Sequence, residues 1–380
     1  MMKVRSLRRA LVPPSLLPNP SPASLQSTRL SLHVNEEGSS SSVFVASGCH
    51  AYKVEVAMED CPVEEGKDSL LIPIPAKIMN SSRVRRCPHR SEVQSLALAD
   101  ACDMGLVLGT VDSYGHAIVS VLDTGSQDIE RLTYSALPLD CGVGEGSWAG
   151  LCFSPNQWST VAVARSFCKS IDIYDQEIHL RSLHTLWNPA SICFVQTVIG
   201  DGGSSIIAIA EGCQLSIWDL RVKQNGGCIQ RITGTLGSPF HAVCSSADGS
   251  VAVGGADRSV TIFDCRRWSA FSRWVNCSKY EITGLAFSSL DADHIYIQSV
   301  DYESRAGLVL ANLWKMTYIK MIDFVVPPSP ALKFLLLDAG AKCAFSGLTF
   351  SLATWLKGLP AALGRLQSPL SYLCMIRHTE

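Results

Sequence analysis

The sequence predicts an all-β fold made of repeated antiparallel sheets, and three observations carry the prediction. Strand-like runs that end in an aromatic residue and an aspartate recur, and Asp175, Asp219 and Asp264 are spaced by 44 and 45 residues. Such spacing is typical of repeats that each form one four-stranded sheet. Turns that contain glycine or Asp-Gly separate the apolar runs, which favours hairpins. Serine, threonine and aromatic residues interleave with valine and isoleucine, as in sheets packed on both faces.

The unit that ends at Asp264 shows the order of strands within a repeat. Phe240 to Ser245, Val251 to Gly255 and Val260 to Asp264 are separated by turns at 247–249 and 256–258. Because glycine and aspartate tolerate turn conformations, the unit is predicted to be an antiparallel meander. Corresponding first strands are expected at 93–99, 149–154, 190–194 and 282–287, and outer strands at 70–78, 129–137, 180–186 and 229–234.

A ring of such sheets is the arrangement that these repeats favour. No single sheet can bury both of its faces, so neighbouring repeats must supply the missing contacts. A weaker repeat ends at Leu122-Asp123, and its longer interval to Asp175 is explained by the glycine-rich loop 141–146. The sequence therefore predicts a β-propeller.

Two stretches resemble WD40 repeats: Ser216 to Arg221, which reads Ser-Ile-Trp-Asp-Leu-Arg, and Gly254 to Asp264. The resemblance covers residues 29–303 as six readable blades. It implies a seven-bladed β-propeller that acts as a scaffold for protein assemblies, and it implies that Asp257 occupies the tight-turn aspartate position of the repeat. The repeat residues that we single out are Tyr174, Asp175, Trp218, Asp219, Phe263 and Asp264.

The sequence departs from the family pattern in two ways. The Gly-His dipeptide that usually opens a repeat is missing, so we expect an incomplete His/Asp/Ser-Thr/Trp hydrogen-bond network. After Asp301, the run Arg305 to Trp314 has no recognisable repeat ending. We therefore expect an irregular or incomplete last blade. The atypical segment 304–380 is interpreted as that degenerate blade, an added helical segment or an aberrant terminus.

Composition bounds the function classes. With 380 residues, 47% of them hydrophobic and 17% charged, the chain has enough apolar material for a large core. A net charge of -2 argues against general coating of nucleic acid. The 15 cysteines include several in apolar runs, which indicates buried thiols in a reducing compartment, the cytosol or nucleus. No Cys-x-x-Cys pair occurs, so no metal site is expected.

The N-terminal residues 1–28 are expected to form a disordered tail. Residues 1–35 contain five basic residues and no acidic residue, and five prolines between positions 13 and 22 prevent a long helix. The basic composition leaves an organelle transit peptide as the alternative. No membrane span is predicted, because the uncharged run at 343–356 is shorter than the ~20 residues that a spanning helix needs.

No catalytic motif is recognisable, so we expect a non-enzymatic protein without a cofactor or metal. Gly142, Gly144 and Gly146 imitate a dinucleotide-binding loop, but Ser147 stands where the third glycine belongs. Four histidines lie in or beside predicted strands and are interpreted as structural: His116, His179, His184 and His241.

A basic segment lies between the first and second blades. It contains Arg83, Arg85, Arg86 and Arg90, together with His89. These side chains could meet an acidic partner or phosphate through charge-assisted hydrogen bonds. One alternative function is therefore a nucleic-acid-associated propeller. The other interpretation is a solvated loop whose charge the acidic residues between 59 and 68 neutralise.

Two adjacent repeats end in an aromatic residue, an aspartate and then an arginine two residues later. Their arginines are Arg221 and Arg266. The pair resembles the motif of propellers that serve as substrate receptors of cullin-RING ubiquitin ligases, in which such arginines face the adaptor. An arginine at this place could pair its planar fork with a carboxylate. The leading expectation remains a scaffold that binds other proteins, with the ligase receptor as its rival.

Overall fold

The structure is a computed structural model that describes part of the chain. Side chains are described for residues 15–16, 28–34, 40–57, 75–85, 87–101, 105–122, 134–138, 147–155, 157–196, 205–234, 237–287 and 294–299. For further strand residues the backbone alone is described, chiefly at 3–11, 64–65, 71–72, 130–133, 303–308, 317–320, 333–336, 345–346 and 375–379.

The described strands are numbered in chain order. The first twelve are β1 Lys3–Leu11, β2 Leu30–Val34, β3 Ser40–Ser47, β4 His50–Ala57, β5 Glu64–Glu65, β6 Leu71–Ile72, β7 Ile74–Pro75, β8 Ile78–Arg83, β9 Val93–Ala101, β10 Gly105–Asp112, β11 Ala117–Leu122 and β12 Glu130–Ala136. The next twelve are β13 Ala149–Ser154, β14 Gln157–Arg165, β15 Ser170–Asp175, β16 Ile178–His184, β17 Pro189–Val195, β18 Ile206–Glu211, β19 Gln214–Asp219, β20 Cys228–Thr233, β21 Phe240–Ser245, β22 Ser250–Gly255, β23 Val260–Asp264 and β24 Ser269–Trp274. The last seven are β25 Ile282–Phe287, β26 His294–Ser299, β27 Glu303–Leu308, β28 Thr317–Lys320, β29 Lys333–Leu336, β30 Phe345–Ser346 and β31 Met375–Thr379.

Six antiparallel sheets follow one another along the chain. Sheet 1 contains β2, β3, β4 and β8, with β30 added at the edge beside β2. Sheets 2 to 6 are four-stranded meanders of consecutive strands, β9–β12, β13–β16, β17–β20, β21–β24 and β25–β28. Two smaller sheets pair β1 with β29 and β31, and β5 with β6. The expected all-β fold of repeated four-stranded sheets is therefore confirmed.

The sheets stack face to face in chain order, which explains the mixed faces of the sequence. In β22, Ala252 packs in one cluster with Ile282 and other residues of sheet 6, whereas Val253 packs in another with Leu215 of sheet 4. Similar clusters join sheets 1 and 2, 2 and 3, and 3 and 4. Burying a valine or isoleucine contributes about 1.5–3 kcal/mol, so each interface stabilises two neighbouring sheets.

The first strands of the sheets lie innermost. β9 contacts β2 and β13, β17 contacts β13 and β21, and β21 contacts β25. Together these first strands line one cavity of about 1070 Å³. Several fourth strands lie on the outside, since most residues of β16, β20 and β24 are exposed or partly exposed. This radial order of inner and outer strands makes the fold propeller-like.

Some boundaries differ from those expected. Sheet 6 obtains its third and fourth strands, β27 and β28, from position 303 onward, where the sequence predicted the readable blades to end. Within the expected disordered tail, residues 3–11 form β1 and pair with β29 and β31. The outer strand of sheet 1 is β8 at 78–83 rather than 70–78, because the connection after β4 contains the short strands β5 to β7.

Helical structure in the described residues is limited to two short 3-10 turns, Ser27–Arg29 and Gln224–Gly227. In that part of the chain, no helix has the length and apolar character needed to cross a membrane.

Candidate protein-interaction surfaces

The loops of the sheets lie on two opposite faces. One face, here called the upper face, carries the turns between second and third strands and the connections from each fourth strand to the next sheet. Backbone hydrogen bonds join these two kinds of loop: Thr185 N–H donates to Lys169 O at 2.9 Å, and Cys277 N–H donates to Arg258 O at 2.9 Å. The lower face carries the other turns, including those that contain Arg221 and Arg266.

The two aromatic-Asp-x-Arg motifs occupy equivalent places on the lower face. Each aspartate accepts a hydrogen bond from the backbone N–H of its arginine at 2.9 Å, Asp219 from Arg221 and Asp264 from Arg266. The same turn therefore follows the third strand of sheets 4 and 5, which are adjacent. Both arginines are exposed. The structure thus places the two arginines in the same way on neighbouring sheets.

The two guanidinium groups differ in what they contact. Arg221 donates from Nε to Asp219 Oδ1 at 3.0 Å and from Nη2 to Oδ2 at 2.8 Å, so its own aspartate already occupies the fork. These bonds hold the pKa of Asp219 below its usual value. Arg266 makes no side-chain hydrogen bond to any other described residue. A carboxylate partner would therefore have to compete with Asp219 at Arg221, which the sequence did not indicate.

The other repeat residues serve the core. Trp218 is buried and donates from Nε1 to Ser216 Oγ at 2.9 Å. Tyr174 is buried and donates from its hydroxyl to Leu137 O at 3.2 Å. Phe263 is buried between sheets 4 and 5. Asp175 accepts a hydrogen bond from the hydroxyl of Ser159 at 2.7 Å on the lower face.

Asp257 lies in the turn between β22 and β23, on the upper face. Its carboxylate accepts hydrogen bonds from the backbone N–H of Ser259 at 3.0 Å and from the Ser259 hydroxyl. Arg273 lies 3.4 Å from the same carboxylate. These contacts stabilise the tight turn, the role that the resemblance implies for this aspartate.

The basic segment is divided by the structure. Arg83 is exposed at the end of β8, with Nη2 2.9 Å from His50 Nδ1. Arg85 and Arg90 are exposed on the upper face, and Arg86 lies outside the described residues. His89 is buried and takes no part in this surface. The segment is therefore less compact as a cationic surface than the sequence indicated.

His89 instead belongs to a buried polar network in sheet 2. Its Nε2 lies 2.7 Å from Thr110 Oγ1, and its Nδ1 lies 3.3 Å from Asp112 Oδ2. Asp112 also accepts the backbone N–H groups of Tyr114 and His116. Burial alone would lower the pKa of His89, but the hydrogen bonds to Asp112 and Cys87 outweigh it and raise that pKa to about 9. His89 is therefore a protonated partner of an ionised Asp112 at neutral pH.

The described residues contain one cluster of side chains that could hold a metal ion, formed by His89, Asp112 and His116. Their ligand atoms lie within 4.8 Å of one another. Both ring nitrogens of His89 already have partners, Thr110 and Asp112. A metal-bound histidine must be neutral and give a ring nitrogen to the ion, so metal binding would break the contact of His89 with Asp112 or with Thr110. The arrangement is accordingly interpreted as a structural ion pair.

The central cavity carries a row of thiols. Cys152, Cys193 and Cys244 line it from three consecutive first strands, and each pairs in register with an alanine of its second strand. Burial raises the pKa of Cys193 to about 12 and raises those of Cys152 and Cys244 well above the usual value. Since the thiolate is the reactive form, these cysteines are poor nucleophiles and behave as small apolar residues.

The comparisons with known proteins add no family. No family model matches the sequence, and a search of curated proteins finds no match either. The functional proposals therefore rest on the fold and on the surfaces themselves.

One surface feature was missed by the sequence reasoning. Phe167, Leu186 and Trp187 are exposed on the upper face, in the turn 166–169 and the connection 185–188. Leu186 was assigned to an outer strand at 180–186, whereas β16 ends at His184. An apolar pair directly before Asn188-Pro189 was the available signal, since turn residues there indicate a loop.

Proposed function

We propose that this chain is a non-enzymatic WD40-type β-propeller that presents protein-interaction surfaces within a multiprotein complex of the cytosol or nucleus. The observation that carries the proposal is a central cavity lined by first strands from six consecutive sheets. Such a ring leaves two broad loop faces exposed. Binding through the faces is therefore the function that this geometry supports best.

The buried network of sheet 2 supports the WD40 part of the proposal. Its residues His89, Thr110 and Asp112 are three of the four residue types in the network that the family resemblance implies. Leu122 stands at the tryptophan position, before Asp123. We extend the proposal to a seven-bladed ring with an irregular last blade, for which the separate sheet of β1, β29 and β31 offers strands.

Purification of the tagged chain with its associated proteins, followed by quantitative mass spectrometry, tests the scaffold proposal. We expect a reproducible set of proteins that co-elutes with the chain in size-exclusion chromatography. A matched control is the same chain with Gly255→Ala, where an added Cβ would lie 2.1 Å from a backbone oxygen and disturb the stacked sheets. Elution of the folded chain alone, with reproducible turnover of a small substrate, would contradict the proposal.

A second candidate is the substrate receptor of a cullin-RING ubiquitin ligase. The observation that favours it is the shared turn geometry of Arg221 and Arg266 on adjacent sheets. The double substitution Arg221→Ala and Arg266→Ala should abolish capture of the ligase adaptor and leave folding intact. Arg267→Ala, at the neighbouring exposed arginine, is the matched control and should retain capture. Equal capture by all these variants would discard this candidate.

The nucleic-acid alternative gains less support. Arg83 contacts His50, and His89 is buried rather than exposed. If nucleic acid bound at the basic segment, its affinity would fall steeply with salt, because phosphate contacts release counterions. Affinity for a labelled duplex that does not change with salt would count against this alternative.

A further inference from the structure

The upper face carries an excess of positive charge among its described residues. Its exposed cations come from several loops around the ring: Arg83, Arg90, Lys169, Arg258 and Lys279. Of the acidic residues described there, Asp112 and Glu211 are buried, Asp257 is bonded within its turn, and Glu92 pairs with Arg29. The exposed acid is Glu281, which lies 3.3 Å from His241. In the described part of the chain, the exposed cations of this face therefore outnumber its exposed carboxylates.

Apolar side chains are exposed on the same face. Phe167, Leu186 and Trp187, here called the Trp187 patch, have exposed fractions of 60%, 56% and 52%. The hydrogen bond from Thr185 to Lys169 brings their two loops together. Lys169 therefore borders the patch and supplies a positive charge at its edge. Tryptophan is among the residue types that dominate binding energy in protein interfaces.

The backbone of Trp187 is held in place although its ring is half exposed. Its N–H donates to Glu211 Oε2 at 2.9 Å, and its carbonyl accepts the Thr185 hydroxyl at 2.8 Å. The side chain also lies against Gly212, where an added Cβ would meet Trp187 Cγ at 2.9 Å. A fully buried carboxylate is thus committed to fixing this loop. Because the side chain is positioned before binding, a partner would lose little conformational entropy in docking on it.

We propose that the Trp187 patch and the cations around it form a docking site for an acidic segment of another protein, with an apolar side chain of that segment seated on Trp187. The inference rests on the proposed scaffold function and names the partner chemistry for one of its faces. Charge complementarity determines that the segment is negatively charged, because an excess of exposed cations favours carboxylates and disfavours basic sequences. The exposed aliphatic side chain of Leu186 beside Trp187 favours an apolar side chain as the anchor, whereas a nucleobase would stack on the aromatic rings alone.

A phage-displayed library of random linear peptides, selected against the purified full chain, provides the probe. We expect enriched peptides with clustered aspartate or glutamate and one aromatic or aliphatic residue. Their affinity, measured by fluorescence anisotropy of labelled synthetic copies, should fall as salt rises. Substituting lysine for the acidic residues of a peptide should abolish its binding.

Variants of the chain locate the site. Trp187→Ala and Lys169→Glu should each weaken the selected peptides by about tenfold or more, as expected for an interface hot spot and a charge reversal beside it. Arg266→Glu makes the same kind of charge reversal on the lower face, and Ile178→Ala removes an exposed apolar side chain of β16. Both controls should bind as the unchanged chain does. Thermal unfolding verifies that all four variants are folded.

The outcomes separate this inference from the proposed function. Peptides that bind the Trp187→Ala and Lys169→Glu variants unchanged would overturn the docking site while leaving a scaffold that binds elsewhere. Enrichment of neutral or basic sequences, or no enrichment, would also overturn it. Preferential binding of a labelled oligonucleotide at the same patch would assign the face to nucleic acid instead. If associated proteins were never found with the chain but acidic peptides bound as expected, the proposed scaffold function would fail alone.

Discussion

The ion pair between His89 and Asp112 makes the stability of the fold depend on pH. The side chains of both residues are buried, and the pKa of His89 is raised from 6.5 to about 9. In the unfolded chain the imidazole loses its proton near pH 6.5, whereas in the folded chain it keeps that proton until about pH 9. The stabilisation is therefore fully present below pH 6.5 and is lost as pH rises through 9.

The magnitude follows from the pKa difference. Each pKa unit corresponds to about 1.36 kcal/mol, so a shift of this size contributes roughly 3 kcal/mol to the free energy of unfolding. That value is a large part of the ~5–15 kcal/mol by which folded proteins are stable. The contribution should be measurable in a single-residue variant, because His89 carries the raised pKa. His116 Nδ1 lies 4.0 Å from Asp112 Oδ2, and burial and the charge of His89 lower the pKa of His116.

Urea unfolding of the full chain and of His89→Gln, at about pH 6 and about pH 9.5, measures the effect. Glutamine can still bond to Thr110 but carries no charge at either pH. Between about pH 6 and about pH 9.5, we expect the free energy of unfolding to fall by about 3 kcal/mol more in the unchanged chain than in the variant. His184→Gln, at an exposed histidine, is the control and should lose as much as the unchanged chain.

Equal pH dependence of the unchanged chain and His89→Gln would refute the reasoning. It would mean that His89 is neutral in the folded state and that its contact with Asp112 is an ordinary hydrogen bond. A direct titration of the His89 ring by NMR gives a second measurement. A midpoint near or below 6.5 would contradict the buried ion pair, whatever the unfolding data show.

Three further predictions concern the stacked sheets. Gly255→Ala should lower the free energy of unfolding in urea by about 3 kcal/mol, because the added Cβ clashes with backbone. Gly237→Ala should lower it by about 1 kcal/mol, because no atom lies within 4 Å and only the φ of +64° is unfavourable. Equal losses for the two variants would contradict this prediction. Asp172→Asn should cost about 3–5 kcal/mol by removing the charged partner that Asp172 provides to the buried Arg165, and adding Arg165→Met should recover part of it in a double-mutant cycle. Iodoacetamide should label Cys193 in urea but not in the folded chain, as peptide mass spectrometry would show.

The repeated meander is predictable from the sequence because its causes are local. The turns around Asp248 and Asp257 are made by residues adjacent in the chain, and the alternation of side chains is read over a few positions. Expected first strands at 149–154 and 282–287 coincide with β13 and β25. The equivalent placement of Arg221 and Arg266 after a third strand was also predictable from sequence, because their turns repeat the same short pattern, and their role in binding stays a prediction.

The surfaces could not be predicted in the same way. Whether Arg221 offers a free fork depends on the orientation of Asp219, and the exposure of Trp187 depends on where β16 ends and on Gly212 of the next turn. The last strands of sheet 6 lack the repeat ending, so the pairing of β27 with β26 and of β28 with β27 is visible only in the register of the sheet. Such contacts carry no local sequence signal.

The sequence by itself determined that this chain folds as repeated antiparallel sheets, since turn chemistry and strand alternation act between neighbours along the chain. Only the tertiary structure decided which polar groups are buried and which face is charged. His89 and Asp112 are 23 residues apart, and the cations of the upper face come from separate loops. Burial and electrostatic field depend on distances in space, and those distances are set when the sheets stack around their common cavity.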